Sequence, residues 1–341
     1  MTHIGVGLVG YGLSGRVFHA PFVQATEGME LRAVVSGKPD KVHEHLPGMT
    51  VVPSVEALLA EPGIDLVIIA SPDDLHADHA IAALAAGRHV LVEKPVATTL
   101  ADAQRMNDAA ERADRMLTVF HNRRWDADFL TLRRMLDEGM LGDIVHFESH
   151  FDRWKPDVPD RWKDARQGGS WFDLGPHLVD QALCLFGMPE AVTLDLAILR
   201  EGGPAPDWFH AILRYPDRRV VLHSSKLSAD DGLRFAVHGT GGSWIKHGTD
   251  TQEPAIIAGA QPGDPNLGVD PIPGIYTPAE DVHSHGEVPN ERGDYRLFWN
   301  ALASALRGEG ANPVPIGEAL DTMRVLDAGL QSAREGRTVE L

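Results

Sequence analysis

A chain of 341 residues exceeds one ordinary domain of roughly 100 to 200 residues, so two domains with separate cores are expected. Its 31 basic and 49 acidic side chains leave a formal charge of -18, which repels phosphate backbones and anionic lipid and argues against nucleic-acid or membrane-surface binding. The single cysteine, Cys184, cannot form an internal disulfide, and no basic-then-apolar leader precedes the first strand. No apolar run approaches the ~20 residues that span a bilayer, so a cytoplasmic protein with a small, polar, uncharged partner is expected.

Short apolar runs alternate with helical patterns from the N-terminus. Strands are predicted at Ile4–Val9, Leu31–Val35, Val51–Val52, Leu66–Ala70, His89–Val92 and Leu117–Phe120, with helices at Val55–Leu59, His79–Ala86 and Leu100–Arg112. Strands buried on both faces and separated by helices imply a doubly wound parallel sheet, a Rossmann domain over residues 1–121. The remainder, 122–341, begins with a helix at Asp126–Glu138 and continues into an alternating strand, Ile144–Phe151. Further alternating runs at His210–Tyr215, Val220–Ser225 and Arg234–His238 predict a predominantly antiparallel open sheet. Its leftover face is expected to be apolar and to make a homodimer or a dimer of dimers. Residues 259–289, dense in Gly, Pro and Asp, read as a long loop, and two final helices are divided by Asn312-Pro313-Val314-Pro315.

The first strand runs directly into Gly10-Tyr11-Gly12-Leu13-Ser14-Gly15. Glycines at this spacing permit a tight turn and close approach of backbone to a pyrophosphate, while the helix that follows offers N–H donors to the phosphates. Pro21 is expected to keep that helix short. An NAD site usually carries an acid at the end of the second strand to bind the ribose 2′-hydroxyl. Here Val34-Val35-Ser36-Gly37-Lys38 contains none, and a hydroxyl with a cation suits a 2′-phosphate, so NADP is expected rather than NAD.

Glu93-Lys94-Pro95 stands at the end of the fifth strand, where ligands sit in open α/β sheets; Lys94 there can bond a substrate oxygen and stabilise an alkoxide. Asp173 and His177 lie four residues apart, on one side of the segment if it forms a helix, with Gln181 continuing the row. His177 can take a hydroxyl proton near neutral pH while Asp173 orients the substrate or the ring. No metal is expected, because one cysteine and scattered histidines lack zinc-site spacing and His283-Ser284-His285 falls in the irregular segment.

These motifs, in this order, resemble the glucose-fructose oxidoreductase, inositol dehydrogenase and MocA (Gfo/Idh/MocA) family over the whole chain. Phe18-His19-Ala20-Pro21, Phe120-His121-Asn122-Arg123-Arg124-Trp125-Asp126 and Phe147-Glu148-Ser149-His150-Phe151-Asp152-Arg153 look like its branch of NADP-linked scyllo-inositol dehydrogenases. The resemblance implies that Lys94 contacts both cofactor and substrate, Asp173 binds substrate hydroxyls and His177 is the acid/base. It places Gly10, Gly12, Leu13, Ser14, Gly15, Ser36, Lys38, Glu93 and Asn122 against the cofactor, with Asn122 also facing substrate. Ser71-Pro72-Asp73-Asp74-Leu75-His76 matches the fourth-strand element under the cofactor, so Ser71, Pro72, Asp73 and His76 join that set, with Ser71 and Asp73 where Thr and Asn are commoner. Arg153, Trp154, Arg161 and Trp162 resemble the substrate-side loop, Arg153 and Trp162 being the implied substrate contacts, although these residue types equally suit a dimer interface. The implied activity is hydride transfer between NADP and a hydroxyl or carbonyl carbon of a cyclic polyol or sugar. Two alternatives are reduction of an aldose, ketose or dicarbonyl sugar, and a dinucleotide-sensing regulator without turnover.

Overall fold

The computed structural model describes residues 3–158, 168–230 and 232–341. They form two compact units, neither continuous in sequence: one gathers the chain up to Asn122 with Glu253–Leu267 and Asp294–Leu320, the other Arg123–Gln252, Gly268–Gly293 and Asp321–Leu341.

The first unit is built on six parallel strands, β1 (Ile4–Val9), β2 (Met29–Val35), β3 (Thr50–Val52), β4 (Leu66–Ile69), β5 (His89–Val92) and β6 (Leu117–Val119), in the order β3-β2-β1-β4-β5-β6. Every residue of β1 and β4 is buried, as a sheet covered on both faces requires. The order reverses beside β1, which sets the glycine turn at the topological switch point. Helices α1 (Ala20–Ala25), α2 (Pro39–His45), α3 (Val55–Ala60), α4 (His76–Ala85) and α5 (Leu100–Ala113) complete the alternation; α2 is absent from the sequence reading. Pro21 does not simply shorten the first helix. Gly15–His19 is a π-turn in which the Ala20 N–H reaches back to the Gly15 carbonyl, and α1 follows without a break.

The Asn312-Pro313-Val314-Pro315 segment covers the open edge of β6. Val119 N–H donates to the Val314 carbonyl, Thr118 Oγ1 donates to Asn312 Oδ1 at 2.9 Å, and Asn312 Nδ2 donates to the Leu117 carbonyl at 3.1 Å. An edge capped by a proline-bearing segment cannot template another strand.

The second unit holds β7 (Ile144–His150), β8 (Ala191–Ala197), β9 (Trp208–Arg214), β10 (Arg219–Ser225), β11 (Leu233–Gly239), β12 (Gly242–His247), β13 (Gly274–Pro278), β14 (Gly286–Val288) and β15 (Val339–Glu340). They make one sheet, ordered β14-β13-β12-β11-β7-β10-β9-β8-β15, antiparallel except where β7 runs parallel to β10. Phe147, Phe209, Phe235 and Trp244 line its inner face, all fully buried. Helices α6 (Ala127–Asp137), α7 (Ser170–Asp173) and α8 (Gly175–Phe186) belong to this unit; Phe186 meets Phe147 edge-on at 5.3 Å, and Trp171 meets Phe209 at 5.1 Å.

Two expectations are corrected. The stretch 259–289 is not simply a loop, because β13 and β14 extend the sheet within it; glycine at 274 is required since Trp244 Nε1 occupies the place a Cβ would take. The outer face of the sheet is not an apolar stripe either. Strand alternation sends Phe147, Phe209, Phe235 and Trp244 inward and leaves His146, Glu148, His150, His210, His223 and His238 outside, with Trp208, Ile212 and Val221 among them. Helices α9 (Gln252–Ile257), α10 (Arg296–Leu306) and α11 (Ile316–Glu335) make up the rest, the last two divided where the sequence placed the break.

Asn312→Ala removes partners from the fully buried Thr118 hydroxyl and from the Leu117 carbonyl. A loss of about 1–3 kcal/mol is expected, read as a lower denaturation midpoint; an unchanged midpoint would show that the edge cover is dispensable.

Candidate active site

The glycine turn has the shape that a pyrophosphate needs. Gly10 sits at a φ of +97°, and a Cβ there would lie 2.5 Å from the Ala70 carbonyl oxygen. At Gly15 a Cβ would strike the Gly10 carbonyl oxygen, whereas at Gly12 nothing lies within 4 Å. The turn is therefore closed toward the sheet and open on its outer side, and the residues present fit a dinucleotide phosphate lying over Gly12. Leu13, beside it, is 47% exposed. At the end of β2, Ser36 Oγ accepts the Lys38 N–H at 3.1 Å, and Lys38 is exposed.

Glu93 is committed within the protein. Its Oε1 accepts from His19 Nε2 at 2.8 Å and from the Ser14 hydroxyl, and its Oε2 accepts the Lys94 N–H at 3.1 Å. His19 is fully buried, packed on Phe120 at 4.8 Å and Trp299 at 5.7 Å. Burial pushes the Glu93 carboxyl up, but His19, the Ser14 hydroxyl and the Lys94 charge outweigh it and hold the group at about 2. One carboxylate thus ties the glycine turn and first helix to the end of β5, where Lys94 sits at a cis bond to Pro95. His76 ties the adjacent loop: its Nδ1 lies 3.0 Å from the Pro95 carbonyl and its Nε2 3.0 Å from that of Ser71. Asp73 and Asn122 are both buried, at 7% exposure. His19 was missed as a functional group by sequence reasoning; 74 residues separate it from Glu93, and its signal was only the Phe18-His19-Ala20-Pro21 motif.

In the second unit Asp173 and His177 do not share one helix. Asp173 ends α7, Leu174 breaks the path, and α8 starts at Gly175, with the His177 N–H bonded to the Leu174 carbonyl. Gly168 and Gly169, both at positive φ, set the start of α7, and the break follows from Pro176 in the first turn of α8, which has no N–H to offer the preceding turn. Asp173 is half-buried and His177 is 6% exposed in the first turn of α8. Gln181 does not continue a substrate-facing row: its Nε2 donates to the Arg123 carbonyl at 2.8 Å and its Oε1 accepts from Arg234 at 2.7 Å.

The same helix is pinned by a bidentate Arg124–Asp180 pair at 2.9 and 2.5 Å, and Arg234 also donates to Asp128 and Ser149, each at 2.8 Å. Burial, with Asp250 close by, pushes Asp126 well above the usual carboxylate range, and burial together with Asp128 raises Asp250 to about 6. Sequence reading assigned none of these network members a role, because their spacings cross several elements. Arg153 is half-buried with its guanidinium 4.8 Å from the Phe151 ring centre, and Trp154 is 58% exposed. Arg161 and Trp162 lie outside the described residues.

An open glycine turn at the switch point of a parallel sheet, followed by a lysine held at the end of β5, defines an NAD(P)-binding oxidoreductase. Residues 4–121 match the oxidoreductase family, NAD-binding Rossmann fold, and residues 133–341 match the oxidoreductase family, C-terminal alpha/beta domain. The chain belongs to the Gfo/Idh/MocA oxidoreductase family. It is 44% identical to the uncharacterized oxidoreductase YdgJ of Escherichia coli, over 99% of this chain and 98% of that one. It is 35% identical to the scyllo-inositol 2-dehydrogenase (NADP(+)) IolW of Bacillus subtilis, over 99% and 96%. Among solved structures, the YPO2259 protein of Yersinia pestis superposes with a TM-score of 0.96 at 44% identity, covering 100% of this chain and 97% of that one. No helix among the described residues is long and apolar enough to cross a membrane.

Because the Glu93 carboxyl titrates below its ordinary value of 4.5, it adds stability above that pH and loses it as pH falls toward about 2. Glu93→Gln should therefore melt well below wild type at pH 7, with the gap closing below pH ~4.5. A gap that stays constant down to acid pH would show that the buried carboxylate is not charged in the fold.

Proposed function

We propose that the protein is an NADP-dependent dehydrogenase that acts on a hydroxyl-bearing carbon of a cyclic polyol or sugar. The observation that carries this reading is the glycine turn, open only at Gly12, paired with a β2 end that offers Ser36 and Lys38 and no acid between Val35 and Pro39. Similarity to an NADP-linked inositol dehydrogenase along nearly the whole chain supports the same substrate class.

When bound, the nicotinamide supplies the hydride acceptor or donor. His177 moves the hydroxyl proton, Lys94 sets its positive charge against the developing alkoxide, and Asp173 orients the substrate hydroxyls. The backbone around Gly12 and the side chains of Ser36 and Lys38 receive the phosphates of the cofactor. Glu93 acts as a positioning residue, since its carboxylate is spent on His19, Ser14 and the Lys94 backbone. Arg124–Asp180 and Arg234–Gln181 position α8, and with it His177.

Lys38→Ala should weaken NADPH binding roughly tenfold to a hundredfold, the worth of one charge-assisted contact, and leave NADH nearly unchanged. Titration of both cofactors decides it, and equal affinities in the wild type would refute the NADP preference.

His177→Ala should lower kcat by about 10² to 10⁴ on inositols or sugars while NADPH affinity stays within a few-fold. Lys94→Met should also slow turnover, and the double variant should lose much less than the product of the two losses if both serve one proton transfer. Wild-type turnover in His177→Ala would assign the proton to another group.

A further inference from the structure

The sequence offers no metal-ligand spacing, yet folding brings distant residues together on the outer face of the second unit's sheet. Strand β7 pairs in parallel with β10 so that His150 stands beside His223, and β10 pairs with β9 so that His223 stands beside His210. Asp152 follows two residues after His150 on the same face. Among the described residues, His150, Asp152 and His223 form a group whose ligand atoms all lie within 4.8 Å of one another. We propose that His150, Asp152 and His223 bind a divalent cation of the zinc, cobalt or nickel class, a site separate from the redox chemistry.

The spacing of the donors suits such an ion. Metal–ligand bonds of about 2.0–2.1 Å in a tetrahedron set donors about 3.3–3.5 Å apart. His150 Nδ1 lies 3.5 Å from Asp152 Oδ2, and His223 Nε2 lies 3.6 Å from Asp152 Oδ1. Two imidazoles and one carboxylate are the donor set of a three-ligand zinc-type centre, which keeps a fourth position for water. His210 stands next to His223, their ring centres 5.6 Å apart.

The surroundings are arranged as metal sites are. Glu148 Oε2 lies 2.9 Å from His150 Nε2, so with a proton held there an incoming ion displaces only the proton that Nδ1 shares with Asp152 and takes that nitrogen as its ligand. A carboxylate behind a ligating imidazole is the usual device that fixes tautomer and ring angle. The other Glu148 oxygen is held by His146 at 2.7 Å, so the carboxylate itself cannot swing. Asp152 is fixed in the same way by the Ser225 N–H at 2.7 Å, and the Trp208 ring stands edge-on to His223 at 5.4 Å as a wall. The three ligand side chains are 10–15% exposed, near enough to solvent for an ion to enter and buried enough to hold it. A cation there would clamp the end of β7 to β10 immediately before Arg153.

The test is calorimetric titration of metal-stripped, full-length protein with zinc chloride. One tight equivalent per chain is expected, with a rise in melting temperature on binding. His150→Gln and His223→Gln, which keep the size and polarity of the face, should abolish the tight equivalent, and Glu148→Gln should weaken it about 10- to 100-fold. Cobalt(II) titration of the wild type stands independently of whether the variants fold, because a tetrahedral site with two imidazoles gives intense visible bands. Absence of a tight equivalent, a tight equivalent that survives both histidine substitutions, or only the weak cobalt spectrum of octahedral sites at scattered surface histidines would each overturn the proposal.

Discussion

The largely buried Glu93 carboxylate is the constraint on which the cofactor side of the protein depends. A charge there is costly to desolvate, and it is tolerated because His19, the Ser14 hydroxyl and the Lys94 N–H all converge on it. Each of those partners lies in a piece of chain that must be placed accurately: the turn that shapes Gly12, the helix behind it, and the strand end that presents Lys94. His19 is in turn fixed by aromatic packing, with Phe120 and Trp299 against its ring and Phe22 stacked on Trp299 at 6.4 Å. Geometry at the phosphate turn is thus set by packing in the core of the same unit, which the chain completes by returning at α10.

The second unit solves the same problem with different chemistry. Arg234 and Asp128 are both almost completely buried, and Ser149 and Gln181 take further guanidinium N–H groups so that the arginine charge does not stand on one contact. Removing one member of such a pair strands the other in a low-dielectric interior, typically at about 3–5 kcal/mol. The network joins β7, β11, α6 and α8, and it therefore determines how α8 presents His177. Raised acids at Asp126 and Asp250 belong to this interior as well, where carboxyls outnumber what nearby guanidinium groups can neutralise.

Much of the first unit was legible in the sequence because strands buried on both faces become plain apolar runs, and β1, β4 and β5 stand out from alanine-rich helices. The glycine motif was readable for the same local reason, since its spacing encodes a turn. What escaped reading has long-range causes. The Pro39–His45 helix is polar and short, and β13 and the edge strand β14 hide because they are short and set among glycines and prolines. The four-residue spacing of Asp173 and His177 suggested one helix, but spacing alone does not register the break at Leu174, where Pro176 opens a new helix. His19 with Glu93, and Arg234 with Asp128, are partners chosen by topology and not by distance along the chain.

Strand periodicity shows how one short segment can carry several duties at once. From Phe147 to Arg153 alternate residues go to opposite faces: Phe147, Ser149 and Phe151 turn inward, where Ser149 completes the Arg234 network and Phe151 receives the Arg123 guanidinium at 4.6 Å. Glu148, His150 and Asp152 turn outward and meet His223 across the parallel pair. A one-residue slip of β7 would exchange these sets, burying three titratable groups and exposing two phenylalanines, so the register is held by both faces together. A segment read from sequence as a family signature is therefore constrained twice over. Its inward half is tied to the helix that bears His177, and its outward half to a histidine face with chemistry of its own.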